Sequence, residues 1–258
     1  MQIKKVKVFR VRNENTEDED FVAVEEPLEV RTCHEGCQTF AIIMRTPGND
    51  IELTLGFLYS EGVINSIDDV SDISIISENV VEVKLRKPVE VKIRDLIVNS
   101  SCGVCGRAFL YTLNILKCNT KIRKDVIFSL PEKLKEHQKI FNLTGGLHAA
   151  ALFTSSGELT YVYEDVGRHN AVDKLVGRLL IDRKIPASTY IMQVSGRIGY
   201  EIVSKGIKAG IPIICGISAP TSLSIEIAEE AGVTLIGFLR GNSFNVYTHK
   251  ERIVLISK

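Results

Sequence analysis

The sequence predicts a mixed α/β protein in which a smaller β-rich lobe precedes a three-layer α/β lobe. Residues 189–239 alternate apolar strand-like runs with amphipathic helical segments, an order that predicts parallel strands joined by right-handed helical crossovers. Residues 147–153 and 158–163 are two further strand-like runs joined by a short turn that contains Gly157, which predicts a hairpin. Residues 70–92 contain short β-branched runs. We therefore divide the chain into residues 1–125 and residues 126–258.

In the first lobe, residues 1–12 alternate apolar and basic side chains and predict a strand. Residues 13–20 are polar and acidic, and we expect them to form a flexible surface loop. Residues 38–44 predict a second strand. Asn49, with Glu52 three residues later, is a pattern typical of a helix start.

In the second lobe, Leu130-Pro131 predicts the start of a helix that ends near Asn142. Apolar residues at 172, 175, 176 and 179 predict a helix after the hairpin. Three strands and two helices then alternate, at residues 189–194, 198–209, 211–217, 223–231 and 233–239. Gly210 and Gly232 occupy positions where glycine commonly ends a helix.

The overall composition argues against several classes of protein. Hydrophobic residues make up 45% of the 258 residues, and 32 basic side chains balance 32 acidic ones, so a general nucleic-acid binder is not expected. No apolar run approaches the roughly 18 residues that a membrane helix needs, and the first residues do not resemble a signal peptide. We expect a cytoplasmic protein without a membrane partner.

A loop of small residues carries the strongest chemical signal, Cys102-Gly-Val-Cys105-Gly106. The flanking glycines let the backbone bend around the sulfur atoms. If Arg107 begins a helix, both sulfurs lie near its positive end, which favours the nucleophilic thiolate. The second cysteine can stabilise or resolve a sulfur adduct.

The remaining cysteines leave alternatives open. Together, Cys33, Cys37, Cys102 and Cys105 could form a four-cysteine zinc site, and a disulfide exchanger is a third possibility. Cys215 lies in an apolar run and is expected to be a buried small hydrophobic residue.

Polar clusters follow the predicted strands of the second lobe and predict a pocket for a ligand with several phosphates. Ligands of open α/β sheets bind beyond the carboxyl ends of strands, where helix N-termini offer free N–H groups. Taken singly, each cluster also fits a helix cap or a turn. Asp165 could cap the following helix, and His148 could be a hydrogen-bonded histidine of the core. The clusters span residues 144–148, 164–170, 195–197, 219–222 and 238–243.

A hairpin followed by alternating helices and strands is also the layout of the zinc deaminases. Their chemistry needs His-x-Glu at one helix start and Pro-Cys-x-x-Cys at the next. Here the corresponding segments contain His169-Asn170-Ala171 and Ser195-Gly196-Arg197. Because the metal ligands and the general acid/base are missing, the layout can be shared but the deaminase reaction cannot.

Five motifs in fixed order resemble the family of formate dehydrogenase accessory sulfurtransferases, FdhD. The resemblance covers about residues 24–252 and is far more specific than the cysteine pair alone. The motifs are Leu55-Gly-Phe with Ser60-Glu-Gly62, Cys102-Gly-Val-Cys105-Gly106, Thr144-Gly-Gly-Leu-His148-Ala-Ala, Glu164-Asp-Val-Gly-Arg-His-Asn170 with Asp173-Lys-Leu175, and Tyr247-Thr-His249.

The resemblance implies a sulfur carrier that takes sulfur from a cysteine desulfurase and passes it to the molybdenum bis(molybdopterin guanine dinucleotide) cofactor of formate dehydrogenase. A guanine nucleotide is expected to mimic that cofactor. The resemblance further implies a homodimer, a cytidine deaminase-like second lobe, Cys102 as the persulfide carrier and Cys105 as its partner. The alternative is a cofactor-binding chaperone with a structural zinc and no sulfur transfer.

The predicted cofactor-binding residues come from two sources. Those implied by the resemblance are Phe238, Leu239, Arg240, Gly241, Asn242 and Ser243. Those from the polar clusters are His148, Asp165, Arg168, His169, Ser195 and Arg197. Cys33 and Cys37 lie where the family commonly has a small polar turn, and no role is assigned to them.

Overall fold

The computed structural model describes residues 1–13, 15–88, 96–98, 116 and 118–255. The strands in these ranges are β1 (Ile3–Arg10), β2 (Thr16–Ala23), β3 (Glu26–Cys33), β4 (Cys37–Arg45), β5 (Val70–Ser77), β6 (Val80–Leu85), β7 (Leu96–Val98), β8 (Ile122–Arg123), β9 (His148–Thr154), β10 (Leu159–Asp165), β11 (Tyr190–Val194), β12 (Ile213–Gly216), β13 (Thr234–Arg240), β14 (Ser243–Val246) and β15 (Ile253–Val254). The helices are α1 (Asp50–Ser60), α2 (Lys124–His137), α3 (Lys139–Thr144), α4 (Arg168–Ile181), α5 (Tyr200–Lys208) and α6 (Ser222–Ala231). None of these helices is long and apolar enough to cross a membrane.

The larger sheet has six strands in the order β10-β9-β11-β12-β13-β14. Its central strands β11, β12 and β13 are parallel, whereas β9, β10 and β14 run antiparallel to their neighbours. The helices α5 and α6 connect the parallel strands. The predicted parallel βαβαβ arrangement and the mixed α/β class are therefore confirmed.

Helices cover both faces of this sheet, which gives the three predicted layers. One face packs against α4, α5 and α6 around Leu152, Met192 and Ile214. The other face packs against α2 around Phe153, Ile191 and Ile213. Parallel strands need apolar residues on both faces, and the continuous apolar run in β12 meets that need. Whether this lobe is cytidine deaminase-like stays a prediction.

The smaller sheet has five strands in the order β5-β6-β3-β4-β7. Its inner face carries Leu28, Val30, Val81 and Val83, and these side chains share one apolar core with α1, α4 and a face of the larger sheet. The core is thus continuous between the two parts of the chain. The division at residue 125 stays a prediction.

Helices α1 and α4 cross with their backbones in close contact. A Cβ atom placed on Gly56 would lie 1.8 Å from the carbonyl oxygen of Asp173, and one placed on Gly177 would lie 1.8 Å from that of Glu52. The two helix backbones touch because both crossing positions lack a side chain.

The segment predicted to be a flexible acidic loop is instead largely β2, which pairs with β1 in an antiparallel hairpin. The prediction was wrong because it weighed the acidic composition of residues 13–20 without the basic strand opposite. Lys5 forms an ion pair with Glu19, and Arg10 with Asp18 at 2.6 Å. Opposite charges across a strand pair stabilise it.

The helix predicted to begin at Leu130-Pro131 in fact begins at Lys124, so Pro131 lies inside α2. Ile127, Leu130 and Leu134 form an apolar stripe on the sheet and are completely buried. Burial of three such side chains, worth about 1.5–3 kcal/mol each, offsets the backbone hydrogen bond that proline removes.

The start of α1 is fixed differently from the predicted capping pattern. Asn49 has a left-handed backbone conformation and its side chain makes no capping hydrogen bond. Instead, the completely buried Arg45 donates to Asp50 at 2.9 Å and to Asn79 at 2.9 Å. One guanidinium therefore joins β4, the start of α1 and the turn between β5 and β6.

We expect Gly177→Ala to lower the free energy of unfolding by about 3 kcal/mol or more, because the new methyl group forces the two helix backbones apart. In an ordinary helix, Gly→Ala raises the free energy of unfolding by about 1 kcal/mol, so a decrease on Gly177→Ala would indicate the close helix crossing. Gly36→Ala is the control, since a Cβ atom placed on Gly36 would meet nothing within 4 Å. Denaturant unfolding measures both variants, and a Gly177→Ala protein as stable as the parent would contradict the crossing.

Candidate functional site

The carboxyl ends of β10, β11, β12 and β13 lie along one edge of the six-stranded sheet. The antiparallel β9 begins at the same edge, because His148 pairs with Asp165. The polar clusters at residues 144–148, 164–170 and 195–197 therefore meet there.

A cavity of about 580 Å³ opens at this edge, on the α2 face of the sheet. Its volume lies within the range of small-molecule sites. Five predicted site residues line it, namely His148, Ser195, Leu239, Arg240 and Gly241. The other lining residues are Pro131, Glu132, Lys135, Gln138, Phe141, Gly145, Gly146, Leu147 and Ile217.

The outer wall of the cavity comes from α2 and α3, and the sequence analysis missed it. Phe141 and Leu147 supply apolar surface, whereas Lys135 and Arg240 place cations at the rim and Glu132 one carboxylate. No motif marks the α2 residues that line the cavity. The signal that could have found them is the apolar stripe of α2, because the stripe packs on the sheet and so brings α2 next to the sheet edge. The wall suits a ligand with a flat apolar part and anionic groups.

The inner wall is held by close contacts between β9 and the end of β11. The Ser195 hydroxyl accepts a hydrogen bond from the Ala149 amide at 2.8 Å. A Cβ atom on Gly196 would lie 3.2 Å from His148 Nδ1, so glycine leaves space for the imidazole. Burial, aided by the nearby Arg168 guanidinium, lowers the pKa of His148 below its usual range.

The turn between β13 and β14 forms one lip of the cavity. Phe238 and Gly241 both have positive φ, 53° and 51°; for phenylalanine this is a strained conformation. The β13–β14 register shifts between Gly237 and Arg240, and Phe238 is 42% exposed. Arg240 donates to the carbonyl oxygen of Ile217 at 3.3 Å. Phe238 near the end of β13, Asn242 in the turn and Ser243 at the start of β14 do not line the cavity.

Arg168, His169 and Arg197 also lie at this edge but do not line the cavity. Arg168 is half-buried and Arg197 is exposed, and neither side chain makes an ion pair with the described residues. His169 is 7% exposed. Neither of its ring nitrogens has a hydrogen-bond partner among the residues that the structure describes. Burial, with smaller contributions from Lys205, Arg168 and His148, lowers the pKa of His169 to about 3.

Asp165 has a structural environment. Its carboxylate is completely buried and lies 2.7 Å from the Nζ atom of Lys174, which is equally buried. It also accepts hydrogen bonds from the backbone amide of Gly167 at 2.8 Å and from that of Thr46 at 3.2 Å. The capping interpretation of Asp165 is wrong, because the N-cap of α4 is Gly167 and no side chain caps this helix. The buried pair instead ties the segment before α4 to the end of β4.

Five of the six cysteines fall into three groups, and the sixth, Cys118, is a half-buried free thiol that donates to the carbonyl oxygen of Ser188 at 3.2 Å. Cys102 and Cys105 lie outside the described residues, so their predicted role stays a prediction. Cys33 and Cys37 are joined in a disulfide and are not thiolate ligands in this state, and the four-cysteine zinc site also stays a prediction. Cys215 is completely buried, which confirms that it is a buried small hydrophobic residue, and burial raises its pKa to about 12.

Comparison with known proteins assigns the family. The sequence profile of the FdhD/NarQ family matches residues 23–254. The chain belongs to the FdhD/NarQ family. Its FdhD relatives include the "Sulfur carrier protein FdhD" of Sulfurisphaera tokodaii, 79% identical over 98% of this chain and 100% of the relative. The protein of the same name from Saccharolobus solfataricus is 72% identical over 98% of this chain and 99% of the relative.

A solved structure extends the FdhD comparison to the fold. A crystal structure from Desulfotalea psychrophila, of a protein described as a putative formate dehydrogenase accessory protein, superposes with a TM-score of 0.84 at 26% identity. The match covers 98% of this chain and 100% of that chain. The family resemblance inferred from the motifs is therefore confirmed.

The unpartnered His169 predicts a pH dependence of stability. The unfolded histidine binds a proton below about pH 6.5, whereas the folded one stays neutral down to about pH 3. The unfolded state thus binds more protons in this window, and the free energy of unfolding falls as the pH falls, by about 1.4 kcal/mol per pH unit from this group.

We expect His169→Gln to remove that slope between pH 6 and 4, as measured by urea unfolding at several pH values. His137→Gln, at an exposed histidine of α2, is the control and should keep the parental slope. Equal slopes in the parent and in His169→Gln would contradict a buried neutral histidine.

Proposed function

We propose that this protein is a sulfur carrier that receives sulfur from a cysteine desulfurase on Cys102 and delivers it to the molybdenum bis(molybdopterin guanine dinucleotide) cofactor of formate dehydrogenase. The observation that supports this most strongly is the identity of 79% to a protein named as a sulfur carrier, across the whole of that relative. The Cys102-Gly-Val-Cys105 motif is the part of the sequence suited to the chemistry. The proposal includes that the protein is a homodimer and acts in the cytoplasm.

The loading step conserves electrons. The Cys102 thiolate attacks the outer sulfur of the desulfurase persulfide, a new S–S bond forms on Cys102, and the desulfurase cysteine leaves as a thiolate. Neither protein is oxidised or reduced overall. Only a thiolate can perform this attack.

The delivery step gives Cys105 its role. The Cys105 thiolate attacks the inner sulfur of the protonated Cys102 persulfide, a Cys102–Cys105 disulfide forms, and the outer sulfur leaves as hydrosulfide, HS⁻, with the electron pair. The outer sulfur is thereby reduced, at the expense of the two cysteines. A protein or small-molecule dithiol then reduces the disulfide, and the carrier is ready for another cycle.

The cavity supports the cofactor part of the proposal. A guanine dinucleotide has flat heteroaromatic rings and phosphates, and the wall offers Phe141 and Leu147 beside the rim cations Lys135 and Arg240. Arginine is well suited to phosphate because its planar fork donates two parallel hydrogen bonds. The volume of about 580 Å³ accommodates one nucleotide portion of the cofactor. Arg168, Arg197 and His169 lie in loops or helix starts at the same edge of the sheet, and on this proposal they contact the rest of the cofactor.

Incubation with a cysteine desulfurase and cysteine should add about 32 Da, the mass of one sulfur atom, to Cys102. We expect Cys102→Ala to lose the adduct and the capacity to activate formate dehydrogenase. Cys105→Ala should keep the adduct but fail to release sulfide. Intact-protein mass spectrometry measures the adduct, and the rate of formate oxidation measures the activation of formate dehydrogenase. Cys118→Ala is the matched control and should behave as the parent; a Cys102→Ala protein that is labelled and activates fully would overturn the proposal.

GDP is the probe for the cavity. We expect Arg240→Ala to weaken GDP binding about 10- to 100-fold, which corresponds to the loss of a hydrogen bond to a charged group. The control is Arg183→Ala, which removes an exposed arginine paired with Asp68, away from the cavity. Isothermal titration calorimetry measures both. No GDP binding by the parent, or equal losses in the two variants, would contradict the assignment of this cavity.

A further inference from the structure

The Cys33–Cys37 pair has a backbone framework of its own. The two residues face each other at the end of the β3–β4 hairpin, as register partners with Cα atoms 4.1 Å apart. The turn between them is closed by a hydrogen bond from the His34 amide to the carbonyl oxygen of Gly36 at 3.1 Å. The strand pairing keeps the two side chains together whether or not the sulfur atoms are bonded.

A third potential ligand lies beside the two sulfurs. Strand β6 pairs in parallel with β3, with Glu82 opposite Arg31 and Lys84 opposite Cys33. A carboxylate oxygen of Glu82 and the Sγ atoms of Cys33 and Cys37 all lie within 4.8 Å of one another. Cys37 is exposed and Glu82 half-buried, so the group can be reached from solvent.

The charges around the group leave this carboxylate available. The Arg31 guanidinium is held by Glu29 through two hydrogen bonds of 2.8 and 3.0 Å, and Lys84 by Asp72 at 3.0 Å. Glu82 acts on Arg31 electrostatically but makes no hydrogen bond or ion pair with any described residue.

We propose that Cys33, Cys37 and Glu82 form a zinc site that opens when the disulfide is reduced. Thiolates and carboxylates bind Zn²⁺ at about 2.3 and 2.0–2.2 Å, which places the ligand atoms about 3.3–3.8 Å apart in a tetrahedron. The three ligand atoms lie within 4.8 Å of one another in the oxidised protein, so a side-chain rearrangement on reduction is enough to bring them to these distances, and water supplies the fourth ligand. Two thiolates favour a soft divalent cation over Mg²⁺ or Ca²⁺.

The chemistry of opening and loading is balanced. A dithiol reductant transfers two electrons and two protons, the S–S bond breaks, and the reductant becomes a disulfide. Zn²⁺ then binds and displaces one proton from each thiol. Oxidation to the disulfide removes both thiolates and releases the metal. The site is independent of sulfur transfer at Cys102.

The test uses the full chain carrying Cys102→Ser and Cys105→Ser, so that the other cysteine pair cannot bind metal. The protein is reduced with a phosphine, desalted without oxygen and titrated with Co²⁺, a spectroscopic substitute for Zn²⁺, followed by Zn²⁺ competition. We expect one Co²⁺ per chain with thiolate-to-cobalt charge-transfer absorption, displaced by Zn²⁺. The protein that has not been reduced should show none of this absorption.

Additional variants assign the ligands. Cys33→Ser with Cys37→Ser should abolish the absorption, and Glu82→Gln should weaken the affinity at least tenfold. Glu35→Gln, in the same hairpin turn, should leave it unchanged, and circular dichroism confirms folding of each variant. Absence of binding in the reduced protein, binding that survives loss of Cys33 and Cys37, or equal affinities for Glu82→Gln and Glu35→Gln would overturn the proposal.

Discussion

The contact between α1 and α4 is the constraint on which most of this structure depends. With glycine at 56 and 177, the backbone of each helix rests against a carbonyl group of the other. This close approach brings the inner face of the five-stranded sheet and one face of the six-stranded sheet into a single apolar core. Any side chain at either glycine would separate the helices and divide that core.

Helix α4 also positions the candidate site. The start of α4 is fixed to the end of β4 by Asp165, Lys174 and Thr46, since the Lys174 ammonium also donates to the carbonyl oxygen of Thr46 at 3.1 Å. Next to Lys174 in α4, Asp173 receives hydrogen bonds from Ser60 of α1 and from Lys205 of α5. A buried pair of charges is weak evidence for stability, but it is strong evidence for a fixed geometry at the sheet edge. The polar groups at that edge are thus held by contacts from the other half of the chain.

How far the sequence predicts the fold depends on whether a signal is local. The central parallel strands were predictable because the alternation of apolar runs and amphipathic helices is visible within a short window. Strand β2 was missed because its acidic residues are compatible with a strand only opposite the lysines and arginine of β1. Helix α2 was started too late because Pro131 is tolerated there only through packing on the sheet. The Gly56–Gly177 crossing gives no local signal, since a glycine inside a helix pattern normally weakens it.

The residues of the candidate site also differ in whether a local sequence signal predicts them. Ser195 could be predicted because it follows a parallel strand, and His148 because the antiparallel β9 begins at the same edge, whereas Arg240 came from the family resemblance. Phe141 and Lys135 were missed because no motif marks them, and the apolar stripe of α2 gives only an indirect signal of the packing that places this wall opposite the edge. The result is a site with two unlike sides, an apolar-walled cavity on the α2 face and buried or half-buried basic groups at the start of α4. A dinucleotide has the same duality of ring and phosphate, so the arrangement argues for an extended ligand that follows the sheet edge rather than for a compact one held in the cavity alone.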